Sequence, residues 1–169
     1  YRNNSNVTFT DITMAAGVEG DGVMRTNASA FGDFDNDGDL DLFIGSKSKG
    51  SSRFYRNNGD GTFTDMTDGA GLSDFGGVRG VAAADYDRDG DLDIFVANSI
   101  FSSRLYRNEG NLTFTNVADQ AGLVLVGYGA VFVDFDGDID QDLYIVGQGL
   151  YRNNGNGTFT DVSDETETT

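Results

Sequence analysis

The stretch Asp33–Gly45, "DFDNDGDLDLFIG", places five carboxylates in its first nine residues and then runs directly into an apolar segment. Two like charges 4 Å apart repel by roughly 4 kcal/mol at an effective dielectric near 20, so five neighbours cannot fold against a buried strand unaided. The stretch contains no Lys or Arg. A bound cation is the first expectation.

The pattern returns as "DYDRDGDLDIFVA" from Asp85 and "DFDGDIDQDLYIV" from Asp134. A second phrase alternates with it: "YRNNSNVTFTD" at Tyr1, "YRNNGDGTFTD" at Tyr55, "YRNEGNLTFTN" at Tyr106 and "YRNNGNGTFTD" at Tyr151, at spacings of 54, 51 and 45 residues. Fixed-period self-similarity marks a repeat architecture. Each full repeat reads as four short strands. A small-residue strand (Ala28 to Phe34, Gly129 to Phe135) suits a crowded inner position. The acidic loop follows, then a strand rich in β-branched and aromatic residues ("DLFIG", "DIFVA", "DLYIV"). The Tyr-Arg-Asn strand comes next, folded back by an Asn/Gly turn onto Thr-Phe-Thr. No convincing amphipathic helix is present. The expected class is all-β: a β-propeller-like array of four-stranded antiparallel blades, three of them preceded by a half-blade hairpin. One repeat domain is expected over residues 1–162: a half repeat and connection (1–27), then blades at 28–79, 80–128 and 129–162. A polar tail, 163–169, follows.

Composition narrows the function. Eleven basic against 28 acidic residues give a net charge of −17 and a pI near 4.1, which opposes binding to nucleic acid or to anionic membrane surfaces. No apolar run is long enough to span a bilayer, so no membrane insertion is expected. The absence of Cys and His removes disulfides, His/Cys zinc sites, Cys or His nucleophiles and His general bases. Because the sequence opens at Tyr1, a mature or excised product is expected.

The loops align at positions 1, 3, 5 and 9 as Asp33, Asp35, Asp37 and Asp41; Asp85, Asp87, Asp89 and Asp93; and Asp134, Asp136, Asp138 and Asp142. Side-chain oxygens from these, with the backbone carbonyl of position 7 (Asp39, Asp91, Asp140), can wrap a hard cation that takes six to eight oxygens. An EF-hand would need Glu at position 12, where Ile44, Val96 and Ile145 stand, so that alternative fails. Calcium suits such a loop better than the geometrically stricter magnesium, and up to three ions are expected. Gly38 and Gly90 at position 6 permit a sharp turn, whereas the third loop has Ile139 there and its glycine at Gly137. Altered geometry or lower affinity is expected for that third site. Paired carboxylates could serve a glycosidase, but the close pairs lie in loops assigned to calcium, so no enzyme is expected.

The acidic loop behind a small-residue strand, combined with the Tyr-Arg-Asn-Asn-Gly-Asp-Gly-Thr-Phe-Thr phrase, resembles the FG-GAP/VCBS repeats and is similar to integrin α-subunit propeller blades. The resemblance spans residues 1 to 162 and implies four-stranded blades with calcium between the first two strands. It implies an extracellular or cell-surface module serving adhesion, scaffolding or accessory roles, with protein or glycan partners. Propellers close with about four to eight blades. Three blades and the hairpin Tyr1 to Asp11 leave edges open, which implies a fragment or head-to-tail docking of copies, up to a filament. A carbohydrate-binding accessory domain is a further alternative.

Sequons at Asn6, Asn27, Asn111 and Asn156 are candidate glycosylation sites, though Asn is equally turn chemistry. Tyr1, Tyr55, Tyr106 and Tyr151 are expected to pack between blades rather than form a ligand platform, and Phe9, Phe63, Phe114 and Phe159 are core candidates.

Overall fold

The computed structural model describes residues 1–20, 22, 25–50, 52–72 and 76–164. Among the described residues, fourteen strands are arranged as a two-stranded hairpin and three four-stranded antiparallel sheets. The hairpin is β1 (Arg2–Asn3) with β2 (Phe9–Thr10). The first blade is β3 (Thr26–Gly32), β4 (Asp41–Ser46), β5 (Arg53–Asn57) and β6 (Phe63–Asp65). The second is β7 (Val78–Ala84), β8 (Asp93–Asn98), β9 (Arg104–Asn108) and β10 (Phe114–Asn116). The third is β11 (Ala130–Val133), β12 (Asp142–Ile145), β13 (Gly149–Asn153) and β14 (Phe159–Asp161). Sheet order follows chain order in every blade, so each is a meander in which a strand pairs with its sequence neighbour.

The first strands of successive blades lie side by side, β3 against β7 and β7 against β11. Small residues make this possible: a Cβ on Gly80 would sit 2.6 Å from the Gly129 Cα, closer than a real side chain allows. This is the all-β, propeller-like stacking read from the repeats.

Strand alternation sends one row of each blade forward and one back. Phe43 and Phe54 of the first blade meet Ile94, Val96 and Tyr106 of the second in one core; Phe95 and Leu105 of the second meet Leu143, Ile145 and Tyr151 of the third in another. Tyr55, Tyr106 and Tyr151 are buried, as expected of packing residues, and so are Phe114 and Phe159. Tyr1 and Phe9 depart from that expectation, being 83% and 63% exposed. Tyr106, Phe114, Tyr151 and Phe159 lie in the cores between blades, Tyr55 is buried outside both cores, Phe63 is half-buried, and the short β1–β2 hairpin is exposed along its length.

The Ala-Gly connections form single helical turns, α1 (Thr13–Ala16) and α2 (Ala118–Ala121), ended by Gly17 and Gly122 at φ 74° and 78°. Four residues are too few to show amphipathic periodicity, so these turns are not legible as helices. Of the expected tail, Ser163 belongs to the third blade: its hydroxyl accepts from the Leu150 N–H at 3.1 Å and donates to Asp161. Residues 165–169 lie outside the described residues.

Candidate metal centres

Each acidic loop joins the first two strands of its blade, and each folds around its own carboxylates. In the first, Asp33 accepts from the N–H groups of Asp37 and Gly38, both at 3.0 Å. Asp85 does the same for Asp89 and Gly90, at 3.2 and 3.1 Å. In the third, Asp134 accepts from Gly137 at 2.7 Å and Ile139 at 3.1 Å, so one donor has moved a residue earlier. The position 5 carboxylates, Asp37, Asp89 and Asp138, each accept from the position 7 N–H at 2.9 Å.

All three loops need left-handed backbone twice, at positions 4 and 6. Asn36 and Gly38 have φ 58° and 93°, Arg88 and Gly90 60° and 96°, Gly137 and Ile139 84° and 79°. The third loop has exchanged which of the two sites carries the glycine. It reaches the same turn by placing a β-branched residue in a region such residues avoid.

Position 9 has a second task. Asp41 is fully buried and accepts from the N–H groups of Phe34 (3.1 Å) and Asn57 (2.8 Å), tying the loop to the third strand. Asp93 holds Tyr86 and Asn108 at 3.0 and 2.8 Å, and Asp142 holds Phe135 and Asn153 at 3.1 and 2.8 Å. Burial pushes Asp41 up to about 6 and Asp93 up to about 8, against the lowering influence of those N–H donors; burial raises Asp142 as well.

Carboxylate oxygens come within 4.8 Å of one another in three groups: Asp33, Asp35 and Asp37; Asp85, Asp87 and Asp93; Asp134, Asp136 and Asp142. Position 1 and position 3 appear in every group. Three buried carboxylate oxygens, Asp35 Oδ1, Asp87 Oδ1 and Asp140 Oδ1, have no hydrogen-bond partner among the described residues; the last lies 2.9 Å from Arg88 Nε, an ion pair without hydrogen-bond geometry. Burial, followed by the neighbouring position 5 carboxylate, raises Asp35 and Asp87. An orphaned carboxylate oxygen among like charges fits a hard cation, and the all-oxygen donor set fits calcium.

An FG-GAP-like repeat model matches residues 33–96, from the first acidic loop through the second and into β8. The chain belongs to the FG-GAP-like repeat family. It is similar to cartilage acidic protein 1 of Xenopus tropicalis, 32% identical over 120 residues (68% of this chain, 18% of the relative). The mouse protein is 30% identical over 162 residues (86% of this chain, 24% of the relative), and the human one 32% over 109 (62% and 16%). The chain thus spans about a quarter or less of the relatives it matches. A solved structure of an Agrocybe aegerita lectin, described by its recognition of non-reducing terminal N-acetylglucosamine, aligns with 77% of this chain and 36% of its own, at 24% identity and a TM-score of 0.48.

In the second and third of these FG-GAP loops the position 7 side chain meets a residue of the preceding loop. Asp91 accepts from Asn36 at 2.7 Å, and Asp140 pairs with Arg88 at 2.9 Å. The Tyr-Arg-Asn asparagine is a site component that motif spacing did not single out. Asn108 Nδ2 donates to the Phe34 carbonyl of the preceding blade and to Leu92 of its own loop, and Asn153 Nδ2 does the same with Tyr86 and Gln141. The signal was there, since an Asn invariably follows Tyr-Arg in all four copies of the phrase.

The sequons divide by geometry. Asn6 and Asn156 sit at exposed hairpin tips and accept from Thr8 and Thr158, as Asp60 does from Thr62 in the second copy. Asn111 and Leu112 take left-handed backbone instead, at φ 52° and 58°, and bury Leu112. Asn27 on β3 donates its amide to the Val78 carbonyl at 3.1 Å, a bond a glycan at that nitrogen would weaken.

Proposed function

We propose that this chain is part of an extracellular, calcium-stabilised repeat scaffold that presents its blade surfaces in adhesion or assembly and carries out no catalysis. The observation that supports it most is the threefold recurrence of one loop, with an orphaned position 3 oxygen in two of them. Position 1, 3 and 5 side chains, position 9, and the position 7 carbonyl would hold the ion. Bound calcium supplies charge neutralisation and a cross-link between loop segments. The protein's own contribution is to fix the ligands: position 9 is anchored by two N–H donors and position 1 by two more. With no disulfide available, an ion is the remaining local cross-link, and extracellular modules work at about 10⁻⁴ to 10⁻³ M calcium, which export supplies. The test is calorimetric titration with calcium and with magnesium. About three calcium ions per chain, in preference to magnesium, support the reading; no heat of calcium binding refutes it.

A second reading, head-to-tail association of copies, is favoured by the apolar forward face of the third blade. Tyr144 and Val146 are 45% and 47% exposed where Phe43 and Phe95 at the first position are fully buried. Light scattering in millimolar calcium tests it, and a concentration-independent monomer mass counts against it. The tips at Asn6 and Asn156 are the sequons best placed to carry glycan in an exported protein.

A further inference from the structure

The three acidic loops are connected in series by the side chain at position 4. Asn36 of the first loop reaches the second, where its Nδ2 donates to Asp91 Oδ1 at 2.7 Å and to the Gly90 carbonyl at 3.4 Å. Arg88 of the second reaches the third, with Nε 2.9 Å from Asp140 Oδ1. Both connecting residues take left-handed backbone, at φ 58° and 60°, inside the turn that the position 1 carboxylate folds. Both land on position 7 of the next loop. The residue reached also lies against its own hairpin: a Cβ on Gly155 would lie 2.9 Å from Asp140 Oδ2, and one on Gly110 3.6 Å from Asp91 Oδ2. The series stops at the third loop, whose position 4 is Gly137.

We infer that the loops bind calcium as a coupled series, with Asn36 and Arg88 as positioning residues that carry order from one filled loop to position 7 of the next. The inference rests on the calcium reading above. An ion in the second loop fixes the backbone that bears Arg88. Arg88 in turn fixes Asp140, so less conformational freedom remains to be lost when the third loop closes on its own ion. The effect must be reciprocal, since linkage requires that the third ion strengthen binding of the second by the same factor. Repulsion between neighbouring ions acts whether or not Arg88 is present. The dependence of the coupling on Arg88 therefore isolates the positioning role from simple electrostatics.

The test uses the full chain labelled with ¹⁵N and titrated with calcium chloride, with the Gly90 and Gly137 amides reporting the second and third loops. Disabling the second loop by Asp87→Ala is expected to weaken binding in the third by about fivefold or more. In an Arg88→Ala background the same substitution is expected to leave the third loop unchanged, and Arg88→Lys should restore part of the coupling. Asp140→Ala, which keeps the position 7 carbonyl, must abolish the coupling from the other side and stands in if Arg88→Ala does not fold. An equal factor in both backgrounds, or none in the parent chain, overturns the inference. If neither amide responds to calcium, the calcium reading fails; if both respond independently, only the coupling does.

Discussion

Asn108 donates its side-chain amide to the backbone carbonyl of Phe34, 2.9 Å away and 74 residues earlier in the chain. The bond is buried and crosses from one blade to the next. Truncation would leave that carbonyl without its partner, at a cost of about 1–3 kcal/mol. Asn108→Ala is therefore expected to lower stability by about 2 kcal/mol. Asn57→Ala, at the same place in the first blade but bonding the Leu40 carbonyl in an exposed setting, should cost less than half as much. Urea unfolding of both variants checks the order, and equal losses would remove the inter-blade role of Asn108.

Phe34, Phe54 and Phe114 meet edge to face, with ring centroids 5.4 to 6.1 Å apart. Phe34 is fully buried, whereas its counterpart in the third loop, Phe135, is 40% exposed. Phe34→Ala should cost about 3–5 kcal/mol and Phe135→Ala markedly less. Denaturant midpoints measured with calcium present distinguish the two.

Ile139 has φ 79° and is 72% exposed, so its side chain gains little from packing to offset the strained backbone. Ile139→Gly is expected to stabilise the protein by about 1 kcal/mol, since such outliers cost about 1–3 kcal/mol and glycine recovers part of that. Gly38→Ala and Gly90→Ala, at the same loop position, should act in the opposite direction. A fall in melting temperature for Ile139→Gly would contradict this account of the third loop.

The buried position 9 carboxylates set the pH dependence. Asp41 and Asp93 are raised by burial to about 6 and about 8, above the ordinary 3.8. A raised folded-state value favours the protonated form, so the associated stability is present below about pH 4. It is lost as pH climbs through 6 for Asp41 and 8 for Asp93. Asp11, Asp60, Asp161 and Glu109 are held below their ordinary values by hydrogen bonds and act in the opposite sense, their contribution being lost as pH falls. Metal-free protein should therefore melt at lower temperature at pH 8 than at pH 5. Calcium requires the ionised carboxylates, so its stabilising increment should grow over the same range as binding releases protons. Melting curves at pH 5, 6, 7 and 8, with and without calcium, check both slopes.

Much of this was legible in the sequence because the repeats align residue against residue. The four-strand order, the small inner strand at Gly80 and Gly129, and the grouping of position 1 and position 3 aspartates follow from residue types at fixed offsets. What the offsets did not show is direction. Asp39, Asp91 and Asp140 look like the other loop carboxylates, yet Asp91 and Asp140 turn toward the preceding loop because Asn36 and Arg88 reach them there. The exposure of Tyr1 and Phe9 was equally hidden, since the motif is the same and what differs is that their hairpin stands as a two-stranded sheet without the inner strands of the other copies. The third loop was expected to deviate on account of Ile139. Its turn survives because Gly137 relieves the other of two left-handed positions, and a motif with glycine at position 6 reveals only one of them.

The most direct test of the central claim is thermal unfolding of the full chain in millimolar calcium and again after its complete removal by chelation. If the loops hold ions in the folded state alone, each independent site at 100 times its dissociation constant contributes about 2.7 kcal/mol, and the melting temperature should fall by many degrees on chelation. Superimposable melting curves would contradict the account.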